Sequence, residues 1–157
     1  MKKLMVVLAC AAAAVGLTGC GSSPEGVAED FAEALLKGKG KDAVECYGGY
    51  FQNEPMTKAQ HKKLVDEFDK LAANDEDLKT PDLDLELYYV KYDVITEHKH
   101  YLVVNGDEFT GETATVVYQC VKDGTPKKYG IEVNLAQVNG DWIVTGKNVR
   151  KDLDTEE

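Results

Sequence analysis

Three extended segments joined by two tight turns constrain the fold of this chain more than any other feature. Apolar and polar residues alternate along each of them, at 113–121, 129–138 and 141–145. Asp123-Gly124 closes the first segment, and Asn139-Gly140, the strongest short signal for a β-hairpin, joins the second to the third. An antiparallel sheet with one apolar face needs other elements to cover that face.

The segments before this sheet have the spacing of amphipathic helices and supply the cover. A first helix is predicted from an N-cap at Ser23 to a stop at Gly38, and a shorter one from about Lys41 to Tyr47. The capping-box pattern from Thr57 to Gln60 starts a third helix. The apolar stripes of the first and third helices consist of Val27, Phe31, Leu35, Leu64, Phe68 and Leu71.

A further extended segment, 83–104, lies between the third helix and the sheet. Its alternation shifts by one residue after Leu87, so that Tyr88, Val90, Tyr92 and Val94 share a face. Such a slip is typical of a β-bulge, which bends a sheet, although a separate short element over 83–87 gives the same pattern. A turn at Asn105-Gly106-Asp107 follows. The order predicts an α+β fold, with N-terminal helices packed on a curved antiparallel sheet of about four strands.

The length and net charge of the chain limit the number of domains and the kinds of partner that it can have. The 157 residues suffice for one domain with its own core. The net charge is −10, and loss of Lys2 and Lys3 with a leader peptide makes it −12. A body of this charge repels nucleic acid and anionic headgroups, so we expect no nucleic-acid partner.

The N-terminus has the pattern of a secretory signal. Two lysines precede an apolar run from Leu4 to Leu17, which is shorter than the roughly 20 residues of a membrane span. The run ends in Leu17-Thr-Gly-Cys20, which resembles the lipobox of bacterial lipoproteins. The resemblance implies a signal peptide over 1–19, cleavage after Gly19, and diacylglycerol and palmitate on Cys20. A plain signal peptide with an incidental cysteine is the other interpretation.

The predicted anchor places the protein in the cell envelope, on the extracytoplasmic side of a membrane. Residues 20–23 form a short tether, which holds the domain close to the membrane surface. Gly21 is not the aspartate that retains enterobacterial lipoproteins at the inner membrane, so the outer membrane is favoured where one exists. We predict a single domain over 24–147 and a charged tail over 148–157.

Capping, turn and core residues carry a second resemblance. They are Ser23-Pro24 with Val27, Phe31 and Leu35, then Lys37-Gly-Lys39 with Ala43 and Tyr47, and finally 113–116, 122–124 and 138–144. With them the chain resembles the nuclear transport factor 2-like, or cystatin-like, superfamily, and more closely a bacterial lipoprotein domain of unknown function sometimes labelled lumazine-binding-like. The resemblance implies a cone-shaped sheet around an apolar pocket, with 98–110 as an insertion.

Four aromatic residues are candidates to line such a pocket. Tyrosine and tryptophan present an apolar ring with one polar group, which suits contact with a small planar ligand. Filling of the core by the same residues is the plainer interpretation. The candidates are Tyr88, Tyr92, Tyr118 and Trp142.

The sequence indicates a catalytic or metal site less strongly than it indicates a ligand pocket. Asp93 is the candidate general base, although the alternation points it away from Tyr92, and His61 borders the third helix at an expected surface position. His98 and His100 lie about 7 Å apart on an extended chain, a spacing that suits a shared metal, with Glu97 and Asp107 as further ligands. An exposed polar hairpin explains those histidines more simply, and we predict no metal and no cofactor.

Two cysteines remain in the mature chain besides Cys20. In an oxidising compartment Cys46 and Cys120 form either one disulfide or two buried free thiols, and we favour the thiols.

Three functions are consistent with these features. The first is an envelope lipoprotein with a non-catalytic domain that binds a small apolar ligand or a partner protein, and this is the prediction that we adopt. The second is an isomerase or dehydratase on the same cone fold, with Asp93 as the base and a pocket tyrosine as the oxyanion donor. The third is an assembly or scaffold lipoprotein that docks another envelope protein or a second copy of itself.

Overall fold

Helices precede the main sheet along the chain, in a computed structural model that describes residues 23–52, 54–94 and 109–155. The helices are α1 (Pro24–Leu36), α2 (Gly40–Glu45) and α3 (Lys58–Asn74). A small hairpin, β1 (Tyr50–Phe51) and β2 (Glu54–Pro55), lies between α2 and α3, and the long strands are β3 (Asp84–Val94), β4 (Phe109–Lys122), β5 (Thr125–Val138) and β6 (Asp141–Arg150). The predicted α+β class, with N-terminal helices and a four-stranded antiparallel sheet, is confirmed.

The sheet follows chain order, β3-β4-β5-β6, with every neighbouring pair antiparallel. Asp123, Gly124, Asn139 and Gly140 all have positive φ, as type I′ hairpin turns require. The short β1–β2 hairpin was not predicted, because two-residue strands carry no alternating pattern.

The helix starts follow the sequence signals. Ser23 Oγ accepts a hydrogen bond from the Gly26 N–H at 3.2 Å, and Pro24 occupies the first helical turn. The side chains and backbone N–H groups of Thr57 and Gln60 bond reciprocally at 3.1 and 2.9 Å. Both predicted caps are therefore confirmed, whereas α2 ends at Glu45, before the predicted Tyr47.

The β-bulge is also confirmed. Leu87 pairs with Tyr118 and Tyr89 with Val117, so Tyr88 is the extra residue in one continuous strand. Further register shifts occur in β4–β5 between Gln119 and Val121 and in β5–β6 between Asn134 and Leu135. The predicted continuation of this strand to Val104 and the turn at 105–107 lie outside the described residues.

The core lies between the helices and one face of the sheet. The Phe31 ring packs edge-on against Phe68 at 5.7 Å and against Tyr47 at 5.9 Å. The strands contribute buried aliphatic side chains to the same cluster, namely Val116, Ile131, Val133, Leu135 and Val144. Each fully buried side chain of this size contributes roughly 1.5–3 kcal/mol.

The C-terminal boundary differs from the prediction. β6 runs to Arg150, beyond the predicted end at Thr145, and Leu153 is only 2% exposed. The Leu153 N–H donates to the Lys128 carbonyl at 2.9 Å. Gly130 makes room for this segment, since a Cβ there would lie 2.9 Å from Leu153 Cδ1. Residues 148–155 are therefore part of the fold. The sequence pattern did not indicate this, because Leu153 is a single apolar residue among charged ones.

Candidate functional site

The four predicted pocket aromatics separate into core and surface positions. Tyr118 and Trp142 are buried in the main core, as the plainer interpretation expects. Tyr88 and Tyr92 are exposed on β3. The sequence placed Tyr88 and Tyr92 on one face, but the bulge directs them to opposite sides of the sheet.

Tyr92 lies on the helix side of the sheet, beside the start of α1. Its hydroxyl donates to Glu25 Oε1 at 2.8 Å, and its ring meets Trp142 edge-on at 6.3 Å. The Tyr118 hydroxyl donates to the Glu25 carbonyl oxygen at 3.0 Å. Tyr92 and Tyr118 thus both bond Glu25 in the first turn of α1, and Trp142 contacts the Tyr92 ring.

The acidic face of α1 begins at this point. Burial, followed by the charges of Glu33 and Glu29, raises the pKa of Asp30 to about 6. Asp30 Oδ2 is buried and has no hydrogen-bond partner among the described residues. Burial and the neighbouring carboxylates also raise the pKa of Tyr118 above its ordinary value. Negative charge is therefore concentrated on this face of α1, where Lys37 lies 3.3 Å from one of the carboxylates, that of Glu33.

Tyr88 and Tyr89 belong to the opposite surface of the sheet, which we call the back face. It carries the residues that alternate with the core positions, such as Val117, Gln119 and Glu132. The Tyr88 hydroxyl accepts from the Asp154 N–H at 3.3 Å, and the two tyrosine rings lie 6.0 Å apart.

Arg150 joins this back-face group. Interactions with Asp152 at 2.8 Å, Glu132 at 2.9 Å and the Tyr89 hydroxyl raise the pKa of its guanidinium. Tyr89 and Arg150 were not among the predicted site residues. The only signal for Tyr89 was its place after the bulge, and Arg150 fell in the predicted tail.

The large apolar side chains that are exposed in the described residues all lie on β3, and we call them together the β3 surface. Their exposed fractions are 50% for Leu87, 38% for Tyr88, 38% for Tyr89, 55% for Tyr92 and 70% for Val94. An exposed apolar group of this kind, on the edge strand of a sheet, is typical of an interaction site.

Two concave sites in the described residues avoid these aromatics. A cleft of about 310 Å³ lies between α1 and α2, and a niche of about 30 Å³ lies between the β1–β2 hairpin and β6. The charged residues that line the larger cleft are Asp30, Glu33, Lys37, Lys39, Asp42 and Glu45. The cleft is too polar for the predicted apolar pocket, and the niche, although lined mainly by apolar and aromatic side chains, is too small to hold a small-molecule ligand.

The catalytic candidates do not form a site among the described residues. Asp93 has a side chain that is 58% exposed and lies 3.3 Å from Lys91 Nζ, so it does not occupy the cavity position that a general base needs. His61 is exposed on α3, as expected. Glu97, His98, His100 and Asp107 lie outside the described residues, which contain no group of three ligating side chains arranged for a metal.

Cys46 and Cys120 are buried free thiols in separate clusters. Cys46 Sγ donates to the Asp42 carbonyl oxygen at 3.6 Å. Burial raises the pKa of Cys120 to about 12, so this thiol stays protonated. The interpretation as free thiols is therefore the one that the structure supports.

No family model, curated protein or solved structure matches the chain. The resemblances drawn from the sequence therefore stay predictions. Cys20 and the predicted signal peptide precede the described residues, in which no helix has the length and apolarity of a membrane span.

Proposed function

We propose that this chain is a lipid-anchored protein of the cell envelope whose domain binds a partner protein and has no catalytic role. The lipid on Cys20 holds it to the extracytoplasmic side of a membrane, which is the outer membrane where one exists. The domain is a cone-shaped, cystatin-like α+β fold, an assignment supported by the bulge in β3 and the register shifts in the β4–β5 and β5–β6 pairs, since bulges bend a sheet.

Binding is favoured over catalysis because the interior is occupied by side chains. Phe31, Tyr47 and Phe68 fill the space between the helices and the sheet with edge-on and tilted ring contacts. Acid–base chemistry needs a titratable group inside a cavity, and Asp93 lies on the surface instead. The same packing favours a partner protein over the small apolar ligand that was the other sequence-based alternative.

The observation that carries the proposal is the back-face tyrosine pair beside Arg150. Tyr88 and Tyr89 are partly exposed, and the Tyr89 hydroxyl is one of the groups that raise the pKa of the Arg150 guanidinium. Tyrosine and arginine are the residues most enriched at the centres of protein interfaces, where a polar rim surrounds them. Glu132, Asp152 and Asp154 supply such a rim.

Site-specific photo-crosslinking in the native host tests the binding proposal. A benzophenone amino acid at Glu86, which is exposed and precedes the tyrosine pair on β3, should crosslink to one discrete protein. The same probe at Lys62, exposed on α3, is the matched control and should give no product. A second substitution, Tyr89→Ala, should abolish the product at position 86.

The identity of the crosslinked protein distinguishes a different partner protein from a second copy of this chain. A product containing a second copy of this chain favours the assembly or scaffold alternative. Equal crosslinking at positions 86 and 62, or a product insensitive to Tyr89→Ala, contradicts a specific back-face interface.

The anchor is tested separately by labelling cells with an alkyne analogue of palmitate. The wild-type chain should incorporate the label and Cys20→Ala should not. Incorporation that survives this substitution, or is absent from the wild type, contradicts lipidation at Cys20.

A further inference from the structure

The helix-side end of the β3 surface lies beside the point where the chain enters the domain. Glu25 is the second residue of α1, and its carboxylate accepts a hydrogen bond from the Tyr92 hydroxyl at 2.8 Å. The Glu25 carbonyl accepts another from Tyr118 on β4 at 3.0 Å. These bonds hold the first turn of α1 at the β3 edge of the sheet.

The length of chain before the helix limits how far this edge can lie from the lipid. The four residue steps from Cys20 to Pro24 span at most about 14 Å. Because Glu25 follows and its carboxylate bonds Tyr92, the Tyr92 hydroxyl on the β3 edge lies within about 30 Å of the lipidated sulfur even with a fully extended tether.

We propose that Tyr92 and Val94 contact the membrane interface when Cys20 carries its lipid. This inference rests on the proposed anchoring and adds to it the side of the domain that faces the bilayer. Val94 is the most exposed member of the β3 surface, and Tyr92 offers an apolar ring with a polar tip. Tyrosine is enriched at membrane–water interfaces for that reason.

Charge defines the kind of lipid surface that fits. Glu25 lies beside Tyr92, and Asp93, paired with Lys91, lies between Tyr92 and Val94 on the other face. These carboxylates disfavour anionic headgroups, so the expected surface is zwitterionic. Tyr88 and Tyr89 point to the back face of the same strand, so membrane contact by Tyr92 and Val94 leaves them open to a protein.

A fluorescence experiment on the full lipidated chain in phosphatidylcholine vesicles tests the contact. An environment-sensitive fluorophore on Val94→Cys reports the proposed contact, and the same fluorophore on Thr125→Cys is the control. Thr125 is exposed at the opposite end of the sheet, next to the 123–124 turn. Cys20 is blocked by lipid while Cys46 and Cys120 are buried, so the chain without an added cysteine measures background labelling.

On reconstitution, the emission at position 94 should shift to the blue and its quenching by iodide should fall severalfold, with no change at position 125. Equal quenching at the two positions, in vesicles that carry the chain, overturns the inference and leaves the anchor intact. A chain that does not sediment with vesicles overturns both. Protection at position 94 that requires an added envelope protein assigns this end of β3 to a protein and also overturns the inference.

Discussion

The two edge strands of the sheet, β3 and β6, differ in how their exposed sides are protected from solvent and from other chains. Around β6 the cations are paired: Lys147 lies 3.7 Å from Glu67 and 5.4 Å above the Phe68 ring, and Arg150 bonds Glu132. Lys151 bonds Asp75 at 2.7 Å and Asp77 at 2.6 Å. The chain after β6 then folds over the back face. Ion pairs and the segment after β6 therefore cover this side of the domain.

The β3 side instead has exposed apolar side chains and a cluster of carboxylates on the adjacent helix α1. Its large side chains are partly or mostly exposed, and the ion pair formed on the strand itself joins Lys91 to Asp93. On the neighbouring face of α1, the carboxylates of Glu29 and Glu33 lie near Asp30 and raise its pKa. Natural sheets protect their edges with charge, bulges or covering segments, and β3 has mainly its bulge. The difference indicates that β6 is stabilised from within the chain and that β3 is suited to an external contact.

The largest expected effect comes from removing the C-terminal segment from the β6 side. In Gly130→Val the new Cβ would collide with the Tyr118 carbonyl oxygen and Leu153, which should lower the free energy of unfolding by about 3 kcal/mol. Gly146→Ala on β6 is the matched control, since its Cβ has its nearest neighbour at 3.8 Å. Urea denaturation measures both, and similar stabilities for the two variants would contradict the proposed docking of Leu153.

A smaller effect should come from the acidic side of the molecule. Burial and like charge raise the pKa of Asp30 above its unfolded value, so its contribution to stability is complete below about pH 4 and is lost as the pH rises through about 6. Asp30→Asn should therefore raise the free energy of unfolding at pH 7.5 by about 1 kcal/mol, a value reduced for partial exposure. At pH 4 the variant and wild type should coincide. A variant that is less stable at pH 7.5 would show that Asp30 is paired.

The β6 side should respond to pH with the opposite sign. Burial raises the pKa of Asp75, but hydrogen bonds from Lys151, Leu78 and Asp77 outweigh it, and the pKa is lowered. The stability from this group is present above the unfolded pKa and is lost as the pH falls through the lower folded value. Lys151→Ala should cost about 0.5–1 kcal/mol at pH 7 and low salt, less at 1 M salt, and nothing at pH 2. A loss that is independent of both salt and pH would assign the role of Lys151 to packing over Tyr129.

The smallest effect on stability is expected on the β3 surface. Leu87→Lys replaces a half-exposed side chain and should change the free energy of unfolding by less than about 0.5 kcal/mol. It should also reduce self-association of the purified domain at high concentration, measured by sedimentation, because it places a charge on an edge strand. A large loss of stability would show that β3 is packed by its own chain, which removes the contrast with β6.

The predicted elements that agree with the structure depend on short-range signals. The caps at Ser23 and Thr57 act over three residues, the hairpin turns over two, and the slip after Leu87 is visible within one strand. Each signal involves neighbours in the chain, so no knowledge of the remaining fold was needed to locate it. The charged residues after Thr145 lacked such a signal, and the end of the domain was therefore placed too early.

The candidate site shows the limit of that reasoning. Sequence alternation placed Tyr88 and Tyr92 on one face, and Tyr118 and Trp142 were grouped with them as candidates for the pocket that the resemblance implies. Composition, capping and turn patterns were sufficient for the α+β class. The hydrogen bonds of Tyr92 with Glu25 and of Tyr88 with Asp154 join residues more than fifty positions apart. Such contacts arise from the way the sheet bends and the helices pack over it, so they exist only in the folded chain, and it is they that separate core tyrosines from surface ones.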